Sequence, residues 1–201
     1  WIIWICWFGW FSLNAASVDK RIKAVATSVM YDMSRVMTNW YNDSNTDNDR
    51  ITMLDQYAKN RWEYIDWTSD PQTPSWIMTQ EQIDSLENPV MKMYMQYYKT
   101  ARWFNERSVN SNWNRNPTNI SSFFNFPLMS RIKYISPRPA LIIAWENAHS
   151  RYFSEDAYKN ASEPKELYIV PWAIHTDLYD GWDKNYIPFE KLDTFFKTNL
   201  K

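Results

Sequence analysis

Residues 163–180, EPKELYIVPWAIHTDLYD, contain an apolar run that ends at Val170 and Pro171, with a histidine shortly after it. The β-branched and aromatic residues of 167–170 predict a buried strand, and the proline predicts that the strand stops there. A loop after a late strand of a parallel sheet presents its side chains at the carboxyl edge, where ligands bind. His175 on this loop is therefore a candidate general base and acid near neutral pH.

The residues before this stretch continue the same order of elements. The apolar run 140–144 predicts a second strand, entered from the stiff Pro-Arg-Pro of 137–139. A helical pattern covers 151–161 and leads into the strand at 167–170, and a terminal helix is predicted over 189–200. This strand-helix-strand-helix order indicates a parallel sheet covered by helices.

The chain starts with a second unit of the same kind. Residues 1–7 are apolar throughout and predict a strand buried on both faces of a parallel sheet. Residues 10–19 predict a helix packed against it, and 22–28 predict the next strand. A strand, helix and strand at this spacing form a βαβ unit with a right-handed crossover.

Between these two units the periodicity changes. Residues 31–98 are mostly amphipathic and helical, interrupted by a turn-rich segment around Pro71 and Pro74, while 104–127 is rich in asparagine and serine and predicts an ordered loop. In a doubly wound sheet such an insertion is expected over the carboxyl ends of the strands. The predicted domains are an α/β core at 1–30, a helical cap insertion at 31–126, and a C-terminal α/β core at 127–201.

Charge and cysteine content exclude several classes of function. The net charge is −1, from 22 basic and 23 acidic residues, which predicts no binding to nucleic acid or an anionic membrane. The apolar opening WIIWICWFGWF is about eleven residues long, whereas a membrane span needs roughly 20. It also lacks the basic lead of a signal peptide. The single cysteine, Cys6, allows no internal disulfide and predicts a reducing, cytoplasmic location.

Glycine is scarce and tryptophan is abundant, with 2 glycines and 13 tryptophans in 201 residues. Average usage would give roughly 14 glycines. Five tryptophans stand at strand ends and turns, where glycine is usually needed for a positive φ or a close backbone approach. We therefore expect strained backbone at several of these positions, with a tryptophan-rich core or an aromatic stacking surface as the alternative. The five are Trp4, Trp7, Trp10, Trp145 and Trp172.

Three stretches together resemble one known family. They are ICWFGWFSLNAASVDKRIKAV at 5–25, ISPRPALIIAWENAHSRYFSEDAY at 135–158, and the stretch 163–180. They are similar to the α/β-hydrolases of the dienelactone-hydrolase-like branch, and the resemblance covers essentially the whole chain. It implies a doubly wound, mostly parallel sheet with a helical cap insertion. It also implies that the strands which precede the nucleophile turn in this family are missing from this chain.

The resemblance implies a nucleophile at the turn after the first strand, and two alignments of that turn remain open. In the first, Cys6 is the nucleophile, with Trp4 and Phe8 at positions that the sharp turn keeps small. In the second, Cys6 and Trp10 flank the turn and Phe8 stands at the nucleophile position, where it can do no chemistry. A buried structural cysteine is the plain alternative for Cys6. The backbone N–H of Trp7 is a candidate oxyanion donor.

The same resemblance assigns the remaining site residues. Family members commonly carry an aspartate where Ala148 stands, so Glu146 is expected to orient His175. His149 is a candidate pocket residue, with a solvated or core histidine as the alternative. Apart from the resemblance, Tyr31 at the start of the helical insertion is a candidate to face the pocket or the core, and Phe8 is a candidate pocket residue at the turn. The two histidines are too far apart in the chain to suggest a metal site, and no cofactor is predicted.

Two functions remain open at this level. The first is hydrolysis of a small carboxylic ester, lactone or thioester, with Cys6 attacking, His175 as base and Glu146 as orienting acid. The second is a catalytically degenerate member of the same fold that binds a small molecule or forms a scaffold, for example a homodimer. The fold alone does not choose between them.

Overall fold

The computed structural model describes residues 1–66, 76–108, 120–181, 183 and 185–200. The predicted turn around Pro71 and Pro74, and much of the predicted loop at 104–127, lie outside these ranges. Within them, no helix is both long and apolar enough to cross a membrane.

The chain divides into two compact units. The first unit comprises residues 1–36 and 126–201, and the second comprises residues 37–125. The strands are β1 (Ile2–Ile5), β2 (Val25–Ser28), β3 (Ala140–Trp145) and β4 (Lys165–Val170). The α-helices are α1 (Trp7–Val18), α2 (Met33–Asn39), α3 (Asp47–Ile65), α4 (Gln80–Asp84), α5 (Pro89–Tyr98), α6 (Leu128–Arg131), α7 (Arg151–Asn160), α8 (Asp177–Asp180) and α9 (Phe189–Asn199). Short 3-10 helices cover Tyr41–Asp43, Ile120–Asn125 and Ile132–Ile135.

The four strands of the first unit form one parallel sheet in the order β1-β2-β3-β4. Ile5 at the end of β1 is opposite Ser28 at the end of β2, and Ser28 is opposite Ile143 in β3. Because all four strands run the same way, the loops that follow them emerge at one edge. The segments after β1, β2, β3 and β4 therefore begin at the same edge of the sheet.

Helices cover both faces of this sheet, as the doubly wound prediction requires. Alternate residues of β3 belong to an apolar cluster that also includes Leu178 of α8 and Phe195 of α9. The β3 residues in between face the opposite side, because side chains alternate along a strand. On that side α1 and α7 pack against the sheet and the 3-10 helix Ile132–Ile135 packs between them. The residues of β3 in the cluster are Leu141, Ile143 and Trp145.

The predicted order of elements in the first unit is confirmed, and one expectation for β1 is wrong. The helix predicted over 10–19 begins three residues earlier, at Trp7. The run at 1–7 was expected to be buried on both faces, but Trp4 and Ile5 are exposed, at 39% and 37%. The reason is that β1 lies at an edge of the described sheet, and an apolar run does not distinguish an edge strand from a central one.

The described residues of the second unit are mainly helical, and three of its helices have well-defined starts. Thr46 caps α3 in a capping box with Asp49, and Thr79 caps α4 in the same way with Gln82. The side chain of Asn88 accepts hydrogen bonds from the first backbone N–H groups of α5. One side of α5 is buried, and its buried residues are Tyr94, Met95 and Tyr97.

The backbone at the five selected tryptophans departs from the expectation of strain. Only Trp172 among them has a positive φ, at 67°, and its indole is 78% exposed. Trp4 and Trp145 lie in strands, while Trp7 and Trp10 lie in α1. A positive φ therefore occurs at one of the five positions rather than at several, because ordinary strand and helix backbone accepts a large side chain at the other four.

Candidate active site

Cys6 lies in a sharp turn between β1 and α1. Its backbone has φ 56° and ψ −127°, a conformation that non-glycine residues rarely adopt. Cys6 is the N-cap of α1, and its own N–H donates to the carbonyl of Ser28 at 2.9 Å. The strained residue of the turn is therefore Cys6, whereas Phe8 lies inside the helix with its ring 54% exposed. This is the geometry of the first of the two alignments.

Gly9 allows α1 to lie close to the sheet immediately after the turn. A Cβ atom at Gly9 would lie 2.9 Å from the Cβ of Met30 and 3.4 Å from the Cβ of Thr27. The Gly9 N–H donates to the Cys6 carbonyl at 3.0 Å, which forms the first turn of the helix. The missing side chain at Gly9 thus brings the N-terminus of α1, with Cys6, against the carboxyl end of β2.

His175 lies in the loop between β4 and α8, and its ring reaches the turn at Cys6. The side chain is fully buried, at 0% exposure. Its Nε2 is 3.4 Å from the Sγ of Cys6 and 2.9 Å from the hydroxyl of Tyr179. His175 therefore lies within side-chain reach of the turn at Cys6.

The other ring nitrogen of His175 contacts Ser150, at the start of α7. The Oγ of Ser150 lies 2.5 Å from Nδ1 of His175, and Ser150 is 1% exposed. Both ring nitrogens therefore have neighbours, a hydroxyl at Nδ1 and the thiol and phenol groups at Nε2.

A second histidine lies beside the first. His149 precedes Ser150 in the chain, and its ring centroid is 5.1 Å from that of His175. The Nε2 of His149 is hydrogen-bonded to the hydroxyl of Tyr31, which follows β2. The Tyr31 ring also packs edge-on against the His175 ring, with centroids 5.1 Å apart. The predicted residues Tyr31 and His149 thus belong to one cluster with His175.

The burial of this cluster keeps its members uncharged. Burial raises the pKa of the Cys6 thiol to about 12, although hydrogen bonds from Tyr179 and from the Trp7 backbone act in the opposite direction. Burial, with the neighbouring His149, lowers the pKa of His175 well below its usual value. Burial also lowers the pKa of His149 to about 4. At neutral pH the resting site therefore holds a thiol and two neutral imidazoles.

Glu146 has a different position from the one that the resemblance implies. It follows β3 with an exposed side chain, and its Oε2 accepts a hydrogen bond from the backbone N–H of Trp172 at 3.0 Å. Glu146 thus holds the loop that leads to His175, while Ser150 contacts the imidazole itself. Asp177 supports the same loop, because its carboxylate accepts from the backbone N–H of Ile174 at 3.1 Å.

Sequence reasoning missed two residues of this site, Ser150 and Tyr179. Each carried a signal that could have identified it. Ser150 stands directly before the predicted helix at 151–161, at a position where polar side chains converge on the edge of the sheet. Tyr179 is four residues after His175, which places both on one side of a helical turn.

No known protein-family model matches this chain. An uncharacterized Pseudomonas aeruginosa protein, PA2218, is 47% identical over 189 residues, covering 94% of this chain and 49% of that protein. The Escherichia coli uncharacterized protein YcjY is 26% identical over 193 residues, covering 93% of this chain and 60% of that protein. The chain thus spans about half to three-fifths of the length of these relatives.

Solved structures match nearly the whole chain. The crystal structure of PA2218 gives a TM-score of 0.86 at 44% identity, covering 98% of this chain and 60% of that one. The α/β-hydrolase GrgF from Penicillium sp. sh18 gives a TM-score of 0.65 at 20% identity, covering 99% of this chain and 63% of that one. The chain has an α/β-hydrolase fold. Cys6 occupies a strained strand-to-helix turn of this fold.

Proposed function

We propose that this α/β-hydrolase-like chain carries a cysteine–histidine site that hydrolyses a small carboxylic ester, lactone or thioester, as in the dienelactone-hydrolase-like branch. One observation carries the proposal. The only cysteine of the chain lies at the strained turn before α1, with its Sγ 3.4 Å from the Nε2 of a buried histidine. A nucleophile held within hydrogen-bonding reach of a base is the arrangement that acyl transfer requires.

The reaction would proceed in two balanced halves. The Sγ of Cys6 attacks the carbonyl carbon while the thiol proton passes to Nε2 of His175. Collapse of the tetrahedral adduct breaks the bond to the leaving oxygen or sulfur, which takes the proton from Nε2 and leaves a thioester on Cys6. Water then attacks this thioester and gives its proton to Nε2, which returns it to Sγ as the acid departs.

The first turn of α1 offers a hydrogen-bond donor to the oxyanion that forms when Cys6 attacks the carbonyl. The backbone N–H of Trp7 hydrogen-bonds to the Cys6 sulfur, and in the tetrahedral adduct it would donate to the oxygen of the reacting carbonyl. Trp7 is the first residue of a 12-residue helix, whose N-terminus carries partial positive charge. Both features would stabilise the oxyanion of the tetrahedral adduct.

A protonated thiol restricts the chemistry of such a site. Because the pKa of Cys6 is raised to about 12, the thiolate must form during the attack, with His175 accepting the proton. A neutral His175 is available for this over the whole neutral range, since its pKa is lowered. Substrates with good leaving groups, such as aryl or enol esters and thioesters, are therefore the class that fits best.

A second candidate function is supported by the residue at Nδ1 of His175. Ser150 is a neutral hydroxyl, and it cannot stabilise an imidazolium as a carboxylate does. A site with this composition also suits a protein that retains the fold to bind a small molecule without turning it over.

Turnover of short-chain aryl esters by the intact protein separates the two candidates. We expect hydrolysis by the wild-type protein, with a transient acyl adduct on Cys6 detectable by intact mass and peptide mapping. The Cys6→Ala variant should lose both signals while keeping its thermal unfolding transition. Equal turnover by wild type and Cys6→Ala would refute the role of Cys6, and saturable binding without turnover would support the second candidate.

A further inference from the structure

The side chain of Ser150 does not cap the helix that begins after it, although its position is that of a helix cap. It is the N-cap of α7, where a serine hydroxyl usually accepts a hydrogen bond from the backbone two or three residues later. No such side-chain cap bond is present. Its Oγ instead lies 2.5 Å from Nδ1 of His175. The hydroxyl therefore contacts His175 and does not hydrogen-bond to the backbone of α7.

We propose that Ser150 is a positioning residue for His175: its hydroxyl accepts a hydrogen bond from Nδ1–H, so that the lone pair of Nε2 can receive the thiol proton of Cys6. The inference deepens the proposed function and rests on it. A neutral imidazole has one protonated nitrogen, and only the form with the proton on Nδ1 can act as a base toward Cys6.

The groups around Nε2 favour this tautomer. The Cys6 thiol keeps its proton at neutral pH, because its pKa is raised to about 12. The Tyr179 phenol also carries a proton that it can donate, and its oxygen lies 2.9 Å from Nε2. With the proton on Nδ1, the lone pair of Nε2 can accept from the Cys6 thiol or from the Tyr179 phenol. The inference therefore places the proton of the imidazole on Nδ1, facing the oxygen of Ser150.

A neutral hydroxyl beside His175 affects the charge of the site differently from a carboxylate. A hydroxyl selects the tautomer of His175, but it adds no negative charge to stabilise the imidazolium that forms during attack. Ser150 thus keeps the site uncharged at rest, which suits a side chain with 1% exposure. Replacing it with a carboxylate would raise the pKa of His175 through the added charge.

Nitrogen NMR of the intact protein, labelled with 15N-histidine, tests the tautomer without reference to activity. We expect the His175 signals of the protein at neutral pH to be those of a neutral ring protonated at Nδ1. The His149→Gln variant separates these signals from those of His149. In Ser150→Ala we expect a mixture of the two tautomers. A wild-type His175 protonated at Nε2 would overturn the inference, because Ser150 would then be the donor.

Kinetics with aryl esters tests the positioning role. Ser150→Ala should lower kcat by about 10- to 100-fold with little change in KM. Ser154→Ala is the matched control, since Ser154 lies in the same helix, is fully buried, and its Oγ has no hydrogen-bond partner among the described residues. Ser150→Asp should move the acid limb of kcat/KM to higher pH by about one unit or more.

Two outcomes would contradict this part of the inference. One is equal kcat in Ser150→Ala and Ser154→Ala, and the other is an unmoved acid limb in a folded Ser150→Asp protein. Failure of the proposed function is a separate result, because it appears as full turnover in Cys6→Ala or as binding without turnover in the wild type. The tautomer of His175 can be measured in either case.

Discussion

The Sγ of Cys6 and the Nε2 of His175 lie 3.4 Å apart, although 169 positions separate the two residues in the chain. Cys6 follows the first strand of the sheet and His175 follows the last. The contact forms because parallel strands bring their carboxyl ends to one edge, and because Gly9 lets α1 approach β2 closely. The same edge carries Ser150 after β3 and Tyr31 after β2, so each strand contributes to the cluster.

The backbone strain at Cys6 predicts a difference between two variants that both lack the thiol. Cys6→Gly should be more stable than Cys6→Ala by about 1 kcal/mol, because glycine adopts φ 56° and ψ −127° without strain. Urea unfolding of both variants measures the difference. A less stable Cys6→Gly would show that the turn is not strained.

Gly9→Ala should destabilise the protein by about 1–3 kcal/mol. The added Cβ would meet the Cβ of Met30 at 2.9 Å, and neither atom can rotate away. The helix must therefore shift, which lengthens the contact of Cys6 with His175 and lowers turnover. Val18→Ala, at an exposed position of the same helix, is the control for thermal unfolding and activity. Unfolding midpoints that match the wild type would contradict the prediction.

His149 predicts a loss of stability on acidification. Its pKa is lowered from 6.5 to about 4 in the folded protein, so the unfolded chain binds the proton first as the pH falls. Stability from this group is complete above 6.5 and declines between 6.5 and about 4. The loss is on the order of 3 kcal/mol. Urea unfolding at several pH values should show a shallower decline in His149→Gln than in the wild type, and parallel declines would contradict it.

The backbone conformation of Trp172 predicts that glycine at this position gives a more stable protein than alanine does. It has φ 67° and an indole that is 78% exposed, so the side chain contributes little packing while the backbone is strained. Trp172→Gly should be more stable than Trp172→Ala by about 1 kcal/mol, since alanine keeps the strain. Both variants keep the backbone N–H that donates to Glu146. Equal unfolding midpoints would be evidence against strain at this position.

The sequence predicted the elements around His175 well and the contacts of its ring poorly. Pro139 stands directly before β3, Pro164 and Pro171 flank β4, and each strand contains an apolar run, so these strands were placed within about two residues of their bounds. The position of His175 followed from the strand before it. The orientation of Ser150 could not be predicted, because its hydroxyl had a choice between capping α7 and contacting the histidine. Only packing in three dimensions decides between them.

The pairing of β2 with β3 has a consequence for how the sheet assembles. Ser28 is the last residue of β2, and Ala140 is the first residue of the adjacent strand β3. The second unit, residues 37–125, lies between these two residues in the chain. Closing a flexible loop of this length costs about 2 kcal/mol more than closing one of ten residues. Early collapse of the second unit would shorten the effective loop and recover part of that entropy. The rate at which the sheet forms is thus coupled to a segment whose described residues contribute no strand to it.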